Sequence, residues 1–251
     1  MRQKNSSMTS LASVALVCMA LLPSTTLAKA QEVYAPDAMV AGKCIDEWGA
    51  EWIQWTFSFP YNATNPSVDP TGHHAWDNQP APDKVFMMPC NISGELMRER
   101  TFNVPGGVPL LIPLDAQLAS EAFAPGASVD DLRAYAAGVT ASVSFLGLSV
   151  DGVEVPDLFS HRETFPDPFQ ITLPNDSYGA PAGSYTTVSD GYFVMLKPLS
   201  PGMHTIHAQS KDDISSDNDV AHVTAVPEPG AWMLLTGLLV PCVSRLRRRR
   251  A

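Results

Sequence analysis

Short segments in which apolar and polar residues alternate constrain the fold of this chain more than any other feature of its sequence. They begin near residue 100, and turn-forming pairs such as Asp151-Gly152, Asp190-Gly191 and Pro201-Gly202 separate them. A period of two is typical of a β-strand with one buried face, because successive side chains point to opposite sides of the sheet. The pattern predicts strands at residues 100–104, 110–114, 141–150, 153–158, 169–173, 185–188, 192–196, 203–209 and 220–226.

Many short strands with regular turn signals are typical of a β-sandwich or barrel, and we expect a mostly β sandwich of the jelly-roll or immunoglobulin-like type. Residues 148–155 predict a hairpin, since apolar residues alternate on both sides of Asp151-Gly152. The stretch from Leu199 to Ala208 resembles the closing hairpin of such sandwiches, which is a likeness of fold alone. Residues 130–137 are expected to form a short helix.

One N-terminal amphipathic helix is predicted at residues 43–57, before the β-rich part of the chain, and Pro60 is expected to stop it. Its apolar residues are spaced by three and four positions, as on one face of a helix. Three tryptophans on one stripe can form a sugar-stacking platform, but burial in the core is the interpretation we favour. The stripe consists of Cys44, Trp48, Trp52, Trp55 and Phe59.

The N-terminus has the three zones of a secretion signal. Arg2 and Lys4 are followed by an apolar run at residues 11–22 and then by Ala28-Lys29-Ala30, a small-x-small cleavage site. The apolar run is too short for a membrane-spanning helix, which needs about 20 residues. We therefore expect a signal peptide at residues 1–30 and a mature chain that starts at Gln31.

The C-terminus contains a second apolar segment between a proline motif and a basic tail. Pro227-Glu228-Pro229 precedes an apolar stretch at residues 230–244, which is expected to form a hydrophobic helix of marginal length for a membrane span. A cytoplasmic location of the basic tail follows from the positive-inside rule and agrees with an exported body. The tail contains Arg245, Arg247, Arg248, Arg249 and Arg250.

This order of motif, apolar helix and arginine run resembles the PEP-CTERM sorting signal of exported bacterial proteins. The resemblance covers residues 226–251 and implies cleavage near Pro227-Glu228-Pro229 by an exosortase, in a bacterium that makes exopolysaccharide. It also implies a transient inner-membrane anchor, followed by release to the cell surface or the extracellular space. A plain single-pass anchor is the alternative. The domains expected are therefore 1–30, 31–225 as an extracytoplasmic β-rich domain, and 226–251.

The net charge and the cysteines of residues 31–229 limit which partners and cross-links this part of the chain can have. Between Gln31 and Pro229 the chain has 26 acidic and eight basic residues, a net charge of −18, so nucleic acid is excluded as a partner. Cys44 and Cys90 are the two cysteines that remain after both ends are removed. Two cysteines in an oxidising compartment predict one disulfide between them.

Candidate ligand-binding residues lie in a loop at residues 60–83 that is rich in Pro, Asn, Asp and Gly. Tyr61 and Trp76 are aromatic residues that could contact a glycan, and Asp69 and His73 add a carboxylate and an imidazole. No metal is expected at the histidines, because His73 and His74 are adjacent and point apart in an extended chain. Long ordered loops are often functional, so this loop is the first place to seek a site.

Two further features concern the body. An acidic segment at residues 212–219 is expected to form a solvated turn between the last two strands, with weak calcium binding left open. The tryptophan helix, Ser58 and Pro60, Asn65-Pro66 and Asp69-x-Thr71-Gly72 resemble a set found in uncharacterised exported bacterial proteins. That resemblance implies no activity.

No catalytic motif is recognisable in the sequence. A Gly-x-Ser-x-Gly nucleophile elbow and a glycine-rich phosphate loop are both missing from it. We therefore expect a noncatalytic exported cell-surface or matrix protein, processed by exosortase and associated with exopolysaccharide. The alternative is a secreted carbohydrate-active module that binds or cleaves glycans.

Overall fold

The computed structural model describes residues 31–92, 97–175 and 178–226. The predicted signal peptide and the predicted sorting signal, apart from Val226, lie outside the described residues. The described helices are α1 (Ile45–Phe57), α2 (Val129–Thr140) and a short 3-10 helix (Leu158–His161). The described strands are β1 (Phe86–Met87), β2 (Arg98–Pro105), β3 (Leu110–Ser120), β4 (Phe145–Val150), β5 (Val153–Glu154), β6 (Arg162–Thr164), β7 (Phe169–Leu173), β8 (Gly183–Leu196), β9 (Gly202–Lys211) and β10 (Ser216–Val226).

The strands form two sheets, so the chain is mostly β as predicted. The first sheet has the order β1-β3-β8-β6, and β7 also pairs with β8. The second sheet has the order β2-β10-β9-β4-β5. Two strand pairs, β1 with β3 and β2 with β10, are parallel, and the remaining pairs are antiparallel. One apolar cluster contains residues from both sheets, so the sheets share a core.

The first sheet is buried on both faces. Along β8, Val194 and Leu196 belong to the core shared with the second sheet, whereas Phe193 and Met195 pack in a second cluster with α1. The strand therefore has a continuous apolar sequence at this end, as expected for a strand covered on two sides. Helix α1 forms a third layer on the outer face of the first sheet.

The tryptophan stripe of α1 lies in the core, which confirms the interpretation favoured from the sequence. Trp48, Trp52 and Trp55 are at most 3% exposed. Their indole N–H groups donate to the backbone carbonyls of Val40, Met88 and Asp77, respectively, each at 2.8 Å. A buried indole needs such a partner, and these three bonds also attach the flanking segments to the helix. No stacking surface remains on this stripe.

Helix α2 confirms the short helix expected at residues 130–137 and is longer than expected, with 12 residues. Its start at Val129 follows from Ser128, whose hydroxyl accepts a hydrogen bond from the Asp131 N–H at 3.2 Å, while the Asp131 carboxylate accepts one from the Ser128 N–H. This reciprocal pair satisfies two of the N–H groups that a helix start leaves unpaired. Buried Leu132 and Ala136 pack the helix against Ala119 of β3 and Val188 of β8.

The prediction of a turn at Asp190-Gly191 was wrong, because both residues lie inside the 14-residue strand β8. The Asp190 carboxylate is buried and accepts hydrogen bonds from the Arg162 Nε at 2.8 Å and Nη2 at 3.0 Å. Gly191 lies opposite an irregularity in β3, where a Cβ atom would come within 2.2 Å of the Asp115 carbonyl oxygen. A pair of residues that favours a turn locally is held in a strand by an ion pair and a close backbone contact.

The two hairpin expectations had different outcomes. Asp151 and Gly152 both have positive φ, at 54° and 76°, and connect β4 to β5 in the predicted hairpin. Leu199–Ala208, in contrast, does not close a hairpin with the preceding strand, because β8 and β9 belong to different sheets. The segment is a crossover, and the last hairpin is β9–β10. Short strands β1 and β6 had no predicted counterpart.

The predicted disulfide between Cys44 and Cys90 is not formed, and both thiols are free. Cys44 is exposed immediately before α1, whereas Cys90 lies beside Trp52, eight residues further along the helix. At 1.5 Å per residue, eight residues correspond to about 12 Å. A disulfide requires Cα atoms within about 7 Å, so the helix keeps the two cysteines apart.

Candidate functional site

Polar side chains within the loop at residues 60–83 stabilise its conformation through hydrogen bonds. Asp69 is 3% exposed, and its carboxylate accepts hydrogen bonds from the Thr71 N–H and hydroxyl and from the His74 N–H. These bonds hold the pKa of Asp69 below its usual value against the effect of burial. His73 is exposed and touches the ring of His74 edge to face. Both oxygens of Asp69 are therefore used within the loop.

Arg100 of β2 joins the loop to the second sheet. Its side chain is buried and donates to the carbonyls of Ser67, Asp69 and Pro89 at 2.7–3.1 Å. Arg98, two residues earlier on the same face, donates to the carbonyl of Val68. Backbone carbonyls in a buried loop need donors, and these two arginines supply them. The loop and β2 therefore form one structural unit.

Trp76 and Tyr61 lie in different places. Trp76 is 43% exposed, but its indole N–H donates to the Asn103 carbonyl at 2.8 Å and its ring rests on Phe86. Tyr61 is 44% exposed and lies against Tyr178, with 5.1 Å between ring centroids. The two exposed aromatic residues do not share a cleft with Asp69 and His73.

A cavity of about 320 Å³ lies where the two sheets diverge, between β3 and the β9–β10 hairpin. Helices α1 and α2 and residues 90–92 complete its walls. We call it the acidic cavity, because three carboxylates line it. They belong to Asp115, Asp217 and Asp219.

Asp115 enters the cavity from an irregularity in β3, where the pairing with β8 shifts between Pro113 and Asp115. It is 5% exposed. Its Oδ1 accepts a hydrogen bond from the Gln117 Nε2 at 2.7 Å, and the Ser210 hydroxyl of β9 is a second hydrogen-bond donor to the carboxylate. A buried carboxylate needs such donors, because it has lost the hydrogen bonds that water would supply.

The β9–β10 turn is held by Asp212, which is 6% exposed. Its carboxylate accepts bonds from the N–H groups of Ile214 and Ser215 and from the Ser215 hydroxyl. The Gln117 amide donates to Asp212 at 2.8 Å as well as to Asp115. The turn predicted at residues 212–219 is shorter, because residues 216–219 belong to β10. It is also only partly solvated: Asp212 is buried, whereas Asp213 is exposed.

The opposite wall carries Asp217 and Asp219 of β10. Asp219 accepts from the Asn91 N–H at 2.5 Å and lies 3.4 Å from the Arg100 Nη1. Asp217 accepts from the Asn91 side-chain amide at 3.3 Å. Asn91 thus attaches the segment after β1 to β10.

Burial raises the pKa values of all three carboxylates of the cavity. Burial and the charge of Asp212 raise the pKa of Asp115 to about 6, against the hydrogen bonds from Gln117 and Ser210. Burial and the charges of Asp219, Asp115 and Asp212 raise the pKa of Asp217 to about 6. Burial raises the pKa of Asp219 although Arg100 opposes the shift. Because several negative charges face few hydrogen-bond donors, the electrostatic potential in the cavity is negative.

An aromatic groove of about 590 Å³ lies next to the acidic cavity. Phe57 and Leu118 line both. In the groove Tyr61 packs against Tyr178, whose hydroxyl accepts a hydrogen bond from the Asn65 side chain at 2.7 Å and donates one to the Thr56 carbonyl. The remaining groove residues are Phe123 and Gly179.

Metal ligation is not supported at this surface. Among residues 31–92, 97–175 and 178–226, no group of three or more His, Cys, Asp or Glu side chains is arranged to hold a metal ion. Two histidines of the second sheet instead each lie against one carboxylate: His204 of β9 is 2.7 Å from Asp151, and His222 of β10 is 2.8 Å from Glu99.

The sequence analysis missed Asp115, Gln117, Asn91 and Arg100. One signal was present: Asp115 directly follows the apolar run Leu110–Leu114. A charge in a buried strand indicates either a pair or a site. The other carboxylates of the cavity could not be assigned, because Asp217 and Asp219 come about 100 residues later in the chain.

Comparison with known proteins found no matching family model, no matching curated protein and no matching solved structure. In the described part of the chain, none of the helices has both the length and the apolar character needed to cross a membrane.

Proposed function

We propose that this chain is a noncatalytic exported protein of the bacterial surface or matrix, processed by an exosortase and built on a β-sandwich. The observation that supports the proposal is the position of the last described strand. Strand β10 ends at Val226, immediately before Pro227, and the Val226 carbonyl accepts a hydrogen bond from the Gly106 N–H at 2.7 Å. Cleavage at the proline motif would therefore remove no residue from the described core.

The sandwich assignment rests on the two sheets and their shared core. Mainly antiparallel pairing supports the jelly-roll or immunoglobulin-like class. Two features depart from it: the parallel pairs at β1 and β2, and the layer formed by α1 on the outer face of the first sheet.

The intact mass of the mature protein tests the sorting proposal. We expect a chain that begins at Gln31 and ends near Pro227-Glu228-Pro229 in an exosortase-positive host, and a retained tail in the exosortase deletion strain. A variant with Pro227, Glu228 and Pro229 all replaced by Ala should keep its tail in both hosts. An unchanged tail on the native chain in both strains would leave a plain membrane anchor.

The second candidate function is a carbohydrate-active module, and one observation favours it. The aromatic groove lies beside a cavity with carboxylate and amide groups, and this combination suits a glycan, whose rings have apolar faces and hydroxyl edges. Of the two activities in this class we favour binding over cleavage.

Titration with purified exopolysaccharide fragments tests the second candidate. Replacing Tyr61 by Ala should weaken binding about threefold to tenfold, the amount expected for one stacking aromatic ring. Trp76→Ala is the matched control, since Trp76 is equally exposed but lies outside the groove. A larger loss with Trp76→Ala than with Tyr61→Ala would place binding elsewhere.

A further inference from the structure

The imidazole of His204 connects three segments at one end of the second sheet. His204 lies near the start of β9, and its side chain is only 11% exposed. Its Nδ1 is 2.7 Å from Oδ2 of Asp151, in the turn between β4 and β5. Its Nε2 is 2.8 Å from the backbone carbonyl oxygen of Ser200, in the crossover between β8 and β9. We call Asp151, Ser200 and His204 the His204 junction.

Both ring nitrogens of His204 face oxygen atoms that only accept hydrogen bonds. A neutral imidazole has one N–H group and can donate to only one of these two oxygens, whereas the imidazolium donates to both. The geometry therefore favours the protonated ring. Although burial lowers the pKa of His204, the hydrogen bonds from its ring to Asp151 and to the Ser200 carbonyl raise that pKa above the usual value.

Ser200 offers the neutral ring a different partner. Its hydroxyl oxygen is 3.3 Å from the His204 Nε2, and a hydroxyl can donate to a nitrogen that has lost its proton. The lone pair of that nitrogen would repel the Ser200 carbonyl oxygen. The crossover must then move relative to the ring, so that the hydroxyl replaces the carbonyl. Loss of one proton thus changes the contact between the crossover and β9.

Asp151 extends this effect to the β4–β5 hairpin. Its Oδ1 accepts a hydrogen bond from the Thr205 N–H at 2.9 Å, and its own N–H donates to the Thr205 carbonyl at 2.8 Å. The φ of Asp151 is 54°, a backbone conformation that residues other than Gly seldom adopt. The contact with His204 therefore helps to hold the turn in place.

His222 of β10 lines the same hollow but has a different set of partners. Its Nε2 is 2.8 Å from the Glu99 carboxylate of β2, and its Nδ1 is 3.2 Å from the Thr205 hydroxyl. Because a hydroxyl donates or accepts, the neutral form of His222 satisfies both contacts. The other titratable groups of the packed elements have partners, are exposed or lie near the far ends of the strands: Lys197 paired with Glu32, Arg98, Arg100, Glu154, His207 against Asn218, Lys211, Asp217 and Asp219.

We propose that the His204 junction is a pH-sensitive conformational switch. When His204 is protonated, it attaches the crossover and the β4–β5 turn to β9. When it is neutral, the Ser200 carbonyl is released and both segments open more often. The junction is therefore closed in acid and loosens as pH rises through the titration of His204. This inference goes beyond the proposed function and depends on neither the sorting signal nor a glycan.

NMR of the imidazole nitrogens in the purified chain measures the protonation of His204 directly. The titration midpoint of His204 should lie above the usual value of about 6.5. A midpoint at or below that value would overturn the proposal, because the contacts would then not favour the charged ring.

Hydrogen exchange, corrected for the intrinsic exchange rate at each pH, measures the opening of the junction. From about pH 6 to about pH 8.5, the amides of Asp151 and Thr205 should open roughly threefold to tenfold more often, as expected for one charge-assisted hydrogen bond to a partly exposed carboxylate. Amides of α1 are the internal reference for global unfolding. His204→Gln should remove the pH dependence, because glutamine gains no proton. His207→Gln, on the same strand, is the matched control and should keep it.

Each outcome decides for or against the switch. Equal opening of both amides at the two pH values in the native chain would overturn it, and so would a pH dependence that persists in His204→Gln. Ser200→Ala gives a second test if His204→Gln does not fold. Without the hydroxyl the neutral ring has no replacement partner, so opening should increase at the higher pH and stay unchanged at the lower one. An equal increase at both pH values would contradict the exchange of partners at Ser200.

Discussion

Replacing Arg100 by Met should destabilise the protein strongly, although the variant keeps a side chain of similar length. Arg100 is 2% exposed and donates to three loop carbonyls, those of Ser67, Asp69 and Pro89. It is also the ion-pair partner of Asp219 at 3.4 Å. Methionine fills the space but donates no hydrogen bond, so the three carbonyls and the carboxylate lose their partner together.

The expected loss is about 3–5 kcal/mol in the free energy of unfolding, the range for breaking a buried charged pair by removing one partner. Three separate unsatisfied carbonyls would add up to more, but relaxation of the loop and entry of water reduce the cost. Small domains are stable by only about 5–15 kcal/mol, so the variant should be near its limit of stability.

Urea unfolding followed by tryptophan fluorescence measures this loss, since Trp52 and Trp55 are buried and attached to the affected segments. For a slope of about 2–3 kcal/mol per molar urea, the midpoint should fall by roughly 1.5 M. Arg133→Met is the matched control, because the Arg133 side chain is 42% exposed, pairs with exposed Asp130 and donates to a single carbonyl, that of Pro166. Its effect should stay below about 1 kcal/mol. Equal, small losses in both variants would refute the reasoning that Arg100 supports the loop.

Three further predictions concern pH, backbone packing and the cysteines. The pKa of Asp115 is raised to about 6 in the folded protein, so its contribution to the free energy of unfolding is complete below its usual pKa and is lost as pH rises through 6. This group should therefore make the free energy of unfolding about 1 kcal/mol larger at pH 5 than at pH 7.5. Urea titration at the two pH values measures the difference, which Asp115→Asn should flatten. In the same assay, Gly191→Ala should lower the free energy of unfolding by roughly 1–3 kcal/mol, because the added Cβ atom would lie 2.2 Å from the Asp115 carbonyl oxygen. Gly138→Ala in α2 is the control and should be neutral or stabilising, since an added Cβ atom has no neighbour within 4 Å there. Similar effects of the two substitutions would contradict the contact at Gly191. In a thiol-reagent assay of the purified chain, exposed Cys44 should react quickly, whereas Cys90 should react slowly, because burial raises its pKa. Loss of the fast phase in Cys44→Ser would assign that phase to Cys44. If neither thiol reacted after unfolding, the two cysteines would form the disulfide that the structure lacks.

Much of the secondary structure could be predicted from local patterns. The alternation along residues 203–209 and 220–226 predicted β9 and β10, and the tryptophan spacing predicted α1 and its burial. These features depend on which side of a single element faces the core, and that information is present in neighbouring residues. The processing signals at residues 1–30 and 226–251 are likewise local in sequence, and they stay predictions.

The candidate site could not be predicted in the same way. Asp115, Gln117, Asn91 and Asp217 meet only because β3, β10 and the segment after β1 are brought together from distant parts of the chain. A sequence with 26 acidic residues offers many carboxylate pairs, and nothing local distinguishes the ones that meet. Burial and charge repulsion, which raise the pKa of Asp115, exist only in the folded state.

The sequence by itself determined the class of the fold, the tryptophan core of α1 and the Asp151-Gly152 hairpin, because each depends on residues within a few positions of one another. Only the tertiary structure decided that Asp190-Gly191 continues a strand, since Arg162 and the backbone of β3 hold it there. It also decided that α1 separates Cys44 from Cys90 and that the Asp115 carboxylate is buried beside Asp212. Packing between distant elements sets these contacts, and the local preference of a residue pair is too weak to oppose it.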